Sequence, residues 1–129
     1  MHKALTLIEI IVVITIIGIL AMVALPNITK SKVVANESAA QANLKVISAA
    51  IENYLATRDA YPSAESDLTG ANPPYLSKNY CNKIDQGYNY SCSFSTTAYT
   101  ITAEPTSCRQ TGGYDFSITN GGNLTSSGC

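Results

Sequence analysis

The sequence predicts an α+β fold, a long N-terminal α-helix packed on a small antiparallel β-sheet head, on three observations. From Ile10 to Leu25 every residue except Thr15 and Gly18 is apolar or alanine. Further on, Leu44, Ile47, Ile51 and Tyr54 or Leu55 recur at three- and four-residue spacing, the period of an amphipathic helix. Beyond Gly87 the period shortens to an alternation of aromatic and β-branched residues with polar ones, the pattern of half-buried strands.

The apolar segment comes first in the chain. Leu5 to Leu25 spans 21 residues with Glu9 as its one charge, and such a helix is about 30 Å long, enough to cross a bilayer. An ordinary secretory signal has a shorter apolar region ending at a small-residue cleavage site, and a cut near Ala24 would leave an undersized remainder. Flanking charge does not orient the segment, because Lys3 precedes it and Lys30 and Lys32 follow it. The cysteines do. Cys81, Cys92, Cys108 and Cys129 all follow the apolar segment, are widely spaced and form no CxxC pair, so they read as two disulfides in an oxidising compartment outside the cell membrane.

Glu9 is the anomaly of the segment, since a carboxylate in hydrocarbon costs on the order of 2.5 kcal/mol or more. No basic residue lies one helical turn away, and Lys3 is six residues back. Either Glu9 reaches water from the interfacial end of the helix, or its partner comes from another molecule. Pro26 lacks the N–H that would bond to Met22, which predicts a kink or a melted stretch over Met22 to Pro26, or the end of the span.

The second helical half is predicted to lay its apolar stripe across the sheet, with Ala39-Ala40 and Ala49-Ala50 suited to close packing, and to end at Tyr61-Pro62. Ser63 to Gln86, with Gly70, Asn72, Pro73 and Pro74, reads as a loop with a short helical turn at Tyr75 to Lys78. Strands are predicted at Tyr88 to Phe94, Ala98 to Ala103 and Tyr114 to Thr119. Asn120-Gly121-Gly122 is a turn before a last short segment, for three or four antiparallel strands in all. Four cysteines allow three pairings; Cys81 with Cys92 and Cys108 with Cys129 are favoured as sequence neighbours, the second pair tying down a tail. The head beyond the helix has roughly 70 residues, a size whose core alone is marginal, so cross-links or partners are expected.

Several functions are excluded or disfavoured. Net charge is −1 with the basic residues scattered, so no nucleic-acid footprint stands out. No nucleophile elbow, phosphate loop, cofactor motif or metal-ligand spacing occurs, and the one histidine, His2, precedes the apolar segment, so an enzyme is not expected and no cofactor or metal is assigned. Asp59, Glu65, Asp67, Asp85, Glu104 and Asp115 read as solvated surface charges. Sequons at Asn27, Asn36, Asn89 and Asn123 match N-x-[ST], a pattern that arises often in a Ser/Thr-rich chain. The eight tyrosines read as packing for the head.

The stretch Ala4-Leu5-Thr6-Leu7-Ile8-Glu9-Ile10-Ile11-Val12-Val13, followed by Gly18 and Pro26, resembles the class III signal and N-terminal helix of type IV pilins and type II secretion pseudopilins. Arg58-Asp59-Ala60-Tyr61-Pro62-Ser63 is similar to the segment that closes this helix in the same proteins. The resemblance implies a leader over 1–4, a transmembrane and assembly helix over 5–26, an amphipathic helix over 27–60 and a disulfide-bearing head over 61–129. It implies cleavage by a prepilin peptidase between Ala4 and Leu5, N-methylation of Leu5, and a homo-oligomeric helical filament in which Glu9 neutralises the amine of Leu5 of a neighbouring subunit. Gly18 and Pro26 would bound a stretch that unwinds on assembly. The usual glycine before the cut is Ala4 here and the usual first phenylalanine is Leu5, both modest changes in size. The implied location is the inner membrane as a single-pass protein, then, through the pilus assembly machinery, a surface pilus serving adhesion or motility. Pseudopilins form short periplasmic filaments instead. A membrane-anchored binding domain that never polymerises is the alternative from outside the family.

Overall fold

The computed structural model describes residues 4–129. The expected leader therefore falls outside the described residues except for Ala4. The chain divides into two compact units, Met1–Lys32 and Val33–Cys129. Helix α1, Leu7–Arg58, runs without interruption across the boundary. The melted stretch expected over Met22 to Pro26 is not there. Pro26 removes only the bond to the Met22 carbonyl, and the helix, with many hydrogen-bonded turns on either side, continues through that one loss.

The second unit is an α+β fold with one core. Ala40, Leu44, Ile47, Ala50 and Ile51 of α1 are buried, the stripe expected from the three- and four-residue spacing. The helix ends earlier than the Tyr61-Pro62 signal implies. Asp59 takes a left-handed conformation (φ 56°) and donates its N–H to the Leu55 carbonyl at 2.8 Å, which stops α1 at Arg58.

The sheet is a five-stranded antiparallel meander in the order β1 (Lys83–Asp85), β2 (Tyr88–Phe94), β3 (Tyr99–Pro105), β4 (Tyr114–Thr119) and β5 (Asn123–Gly128). Strands β2 and β4 sit where the alternation places them. Strand β3 begins one residue later and ends two residues beyond the predicted segment, and β1 was hidden inside what reads as loop. A two-residue turn, Gln86-Gly87, joins β1 to β2 with both residues at positive φ, a geometry that matches strand twist and that Gly87 tolerates without cost. A 3-10 turn, Asn120–Gly122, leads into β5.

One face of the sheet meets the helix. Tyr88, Tyr90, Tyr99, Ile101, Ala103, Phe116 and Ile118 alternate into the core. Their neighbours Ser91, Ser93, Thr100, Thr102, Ser117 and Thr119 point to the other face. Tyrosines dominate this core as edge-on pairs: Tyr61 with Tyr99 at 5.3 Å between ring centroids and Tyr80 with Tyr90 at 5.8 Å. The exception is Tyr114, which is half exposed.

The helical turn expected at Tyr75 to Lys78 lies instead at α2, Glu65–Thr69. Its start is organised by the Asp67 carboxylate, which accepts bonds from the Ser63 hydroxyl and amide, both at 2.8 Å, and from the Ala64 amide at 3.3 Å. These hydrogen bonds, the hydroxyl's first, hold the Asp67 carboxyl below its usual range. Tyr75 and Leu76 lie in no helix; their amides both donate to the Leu68 carbonyl, at 2.9 and 3.2 Å. The structure joins Cys81 to Cys92 and Cys108 to Cys129.

Candidate functional site

Two sets of residues can carry function: the exposed apolar end of α1, and the contacts that hold the head on the other end.

Every described residue from Ala4 to Lys32 is exposed. Between Leu5 and Ile28 the exposed large side chains include Ile14, Ile17, Leu20 and Met22, and the most apolar window of α1 has no buried residue. Exposure of so much apolar surface to water is strongly unfavourable, at roughly 25 cal/mol per Å2, so this stretch requires an apolar surrounding. It is long and apolar enough to cross a membrane. Within it the Thr15 hydroxyl donates to the Ile11 carbonyl at 2.7 Å, so this hydroxyl has a partner inside the helix.

Glu9 lies in the first turn of α1, next to Thr6. Its amide donates to the Thr6 hydroxyl at 3.3 Å and to the Thr6 carbonyl at 3.1 Å, while its carboxylate accepts long bonds of 3.4 Å from the Thr6 amide and hydroxyl. This reciprocal arrangement is a capping box, and its signature, threonine followed three residues later by glutamate, is legible in the sequence although only Glu9 stood out there. The carboxylate thus has a weak partner in its own chain. An acidic group in the first turn also faces the positive end of the helix dipole. Gly18 meets no atom within 4 Å of where a Cβ would stand, so nothing within the chain requires glycine there. Leu5 is 69% exposed, and Ala4, Leu5, Glu9, Gly18 and Pro26 all belong to the first unit.

The head is tied to α1 by polar clamps that the sequence reading missed. Asn36 donates to the Thr111 carbonyl at 2.9 Å, and Glu37 accepts the Gly113 amide at 2.8 Å, both holding the loop that Cys108 and Cys129 close. Glu52 accepts the Gly121 amide at 2.9 Å and the Tyr99 hydroxyl at 3.1 Å. Buried Ser48 lies 2.7 Å from the same hydroxyl, and Asn43 donates to the Tyr90 hydroxyl at 3.0 Å. No local pattern announces such partners, since they lie 47 to 76 residues apart.

Three of the carboxylates expected to be merely solvated do structural work, which corrects that expectation. Asp67 caps α2 as above. Glu65 accepts the amides of Tyr80 and Cys81, and Asp85 pairs with Lys78 at 2.7 Å and with Asn43 at 3.3 Å. Asn36 is spent on Thr111 and only partly exposed, which removes its amide from the free sequons. Among the described residues no three of His, Cys, Asp and Glu gather into a metal-holding group.

A helix with this exposed apolar end, joined to a five-stranded antiparallel sheet, is the α+β architecture of a pilin-like protein. Comparison with curated proteins agrees. The chain is 34% identical over 67 residues to the type IV major pilin protein PilA of Myxococcus xanthus, covering 52% of this chain and 30% of that protein. It is 40% identical over 63 residues to the type II secretion system core protein G of Pseudomonas aeruginosa, covering 49% and 44%. With core protein G of Aeromonas hydrophila it shares 32% over 84 residues, covering 64% and 59%. The chain thus spans from under a third to about three fifths of the length of the curated relatives it matches. No family model matches the sequence. Homologues of this kind, a major pilin and secretion pseudopilins, are consistent with a type IV pilin-like family, the one the N-terminal motif resembles.

Proposed function

We propose that the chain is a structural subunit that polymerises through its apolar N-terminal helix into a type IV pilus filament on the cell surface. The observation that carries this is the exposure of the whole stretch from Ala4 to Lys32, with one carboxylate near its start, in a chain whose other unit buries its own core. The subunit first waits in the inner membrane as a single-pass protein. A prepilin peptidase cuts between Ala4 and Leu5, the new amine is methylated, and the assembly machinery draws the subunit into the filament. There the Glu9 carboxylate exchanges its weak bonds to Thr6 for the charged amine of Leu5 of a neighbouring subunit. Opposite charges brought together in an apolar surrounding attract strongly, whereas either alone is heavily penalised, so the pair sets the register between subunits. Gly18, with open space where a Cβ would stand, offers a place for a neighbouring helix to approach closely. Pro26 marks where the helix, one hydrogen bond short, unwinds most cheaply on assembly.

A secretion pseudopilin is the second reading, and the core protein G matches favour it. The two disulfides and the hydroxyl-rich outer face of the sheet support the surface pilus. Glu9→Ala tests the common mechanism: membrane insertion is retained and filament yield falls to background. Normal filaments from that variant would refute the role of Glu9. Immunogold labelling of intact cells separates the readings, with labelled surface fibres expected for the pilus and label confined to the periplasm for the pseudopilus.

A further inference from the structure

We propose that β5 is a pairing edge through which two heads join, β5 against β5 in antiparallel register, with Ser126 facing Ser126.

The sheet has two edges, and they are built differently. The β1 edge is three residues long and carries Lys83 and Asp85, features that discourage further strand pairing. The β5 edge is six residues long and has no charge, no proline and no bulge in its register with β4. Thr125 to Gly128 are all exposed. Sheet edges in soluble proteins are ordinarily blunted, so a bare one of this length marks a place where another strand can add.

The ladder shows which groups are on offer. The Cys129 amide donates to the Gly113 carbonyl at 3.2 Å, so the hydrogen-bonded pairs with β4 are Ser127 with Asp115, Thr125 with Ser117 and Asn123 with Thr119. By the alternation of an antiparallel strand, the N–H and C=O groups of Leu124, Ser126 and Gly128 point away from β4, toward the free edge. An incoming partner must therefore be an extended backbone.

A second β5 fits that requirement better than a generic strand. Turned about a two-fold axis at Ser126, it places Ser126 opposite Ser126 and Leu124 opposite Gly128, and all the outward groups meet as hydrogen-bonded pairs, about six bonds in total. Shifting the register by two residues loses a third of them. The largest side chain of the strand, Leu124, then faces the residue with none, and a Cβ placed at Gly128 meets nothing within 4 Å, so the space opposite Leu124 is open. The strand carries no charge, so self-pairing meets no like-charge penalty. An isologous contact of this kind closes after two copies. Between subunits of separate filaments it would fasten one filament to another.

The test uses the full chain in detergent on a Glu9→Ala background, so that the outcome does not depend on filament assembly. In a hydrogen-bonded antiparallel pair the facing Cα atoms lie about 5.5 Å apart, within disulfide reach. Ser126→Cys is expected to yield a covalent homodimer on non-reducing gels several-fold above Ser91→Cys, another exposed serine, on β2. Ser126→Pro removes an outward amide without touching the β4 ladder and is expected to abolish reversible dimerisation in sedimentation while the helix and sheet signals persist. Cross-linking of Ser126→Cys no greater than that of Ser91→Cys overturns the proposal. So does dimerisation undiminished by Ser126→Pro, or cross-linking to a different protein in place of a second copy.

Discussion

The two units of this chain solve opposite problems. Val33–Cys129 satisfies itself: Leu44, Ile47, Ile51, Tyr88, Tyr90 and Ile101 are almost wholly buried, and no buried side-chain polar atom among the described residues lacks a partner. In the first unit the described apolar side chains are all exposed, and Glu9 is held only by long bonds to Thr6. The first problem is answered by folding and the second only by other molecules. The difference teaches that the stability of the head and the proposed assembly are written in separate stretches of one helix, so substitutions can separate them.

The largest effect that would sharpen this contrast is a truncation in the head core. Leu44→Ala is expected to destabilise the head by about 2–5 kcal/mol, measured by denaturant unfolding in detergent followed by tyrosine fluorescence. Ile14→Ala deletes a comparable side chain from the exposed stretch and is expected to leave the same transition unmoved. Equal effects of the two would break the comparison. Next, Cys108→Ser with Cys129→Ser opens a closure of 21 residues and is expected to cost about 3 kcal/mol in the chain-entropy account, again in the head transition alone.

A smaller effect comes from pH. Burial pushes the Tyr88 hydroxyl up to about 12, with Glu37 and Asp115 adding to the rise; burial also raises Tyr90 and Tyr99. A folded value above the unfolded one of about 10 means that the unfolded chain loses this proton first. The stabilisation is then complete below about pH 10 and is lost as pH rises toward 12. Tyrosinate absorbance should therefore show a late, cooperative step that coincides with loss of head structure. Ionisation of all eight tyrosines in one early step would contradict this.

Much of the fold was legible because periodicity reports burial. The stripe Leu44, Ile47, Ile51 and the alternation in Tyr88–Phe94 and Tyr114–Thr119 both place one face in the core. Where burial is not periodic the sequence is silent. Strand β1 is three residues long, and β5 is Ser/Thr-rich with Leu124 alone partly buried against the core, so neither alternates. The short helix was misplaced because its start depends on the Asp67 carboxylate, a side-chain cap in a segment without apolar period. The clamps from Asn36, Glu37 and Glu52 are products of tertiary folding and follow from no spacing. At the N-terminal end the position of Glu9 was plain, because one charge in an apolar run is conspicuous, whereas its link to Thr6 needed the capping geometry.

The assembly claim rests on a new amine at Leu5, and mass spectrometry of the N-terminal peptide from the native host tests it most directly. The account predicts a chain that begins at Leu5 and carries one methyl group on its amine. A mature protein that retains Met1 to Ala4 would contradict it, for Glu9 would then have no Leu5 amine to meet.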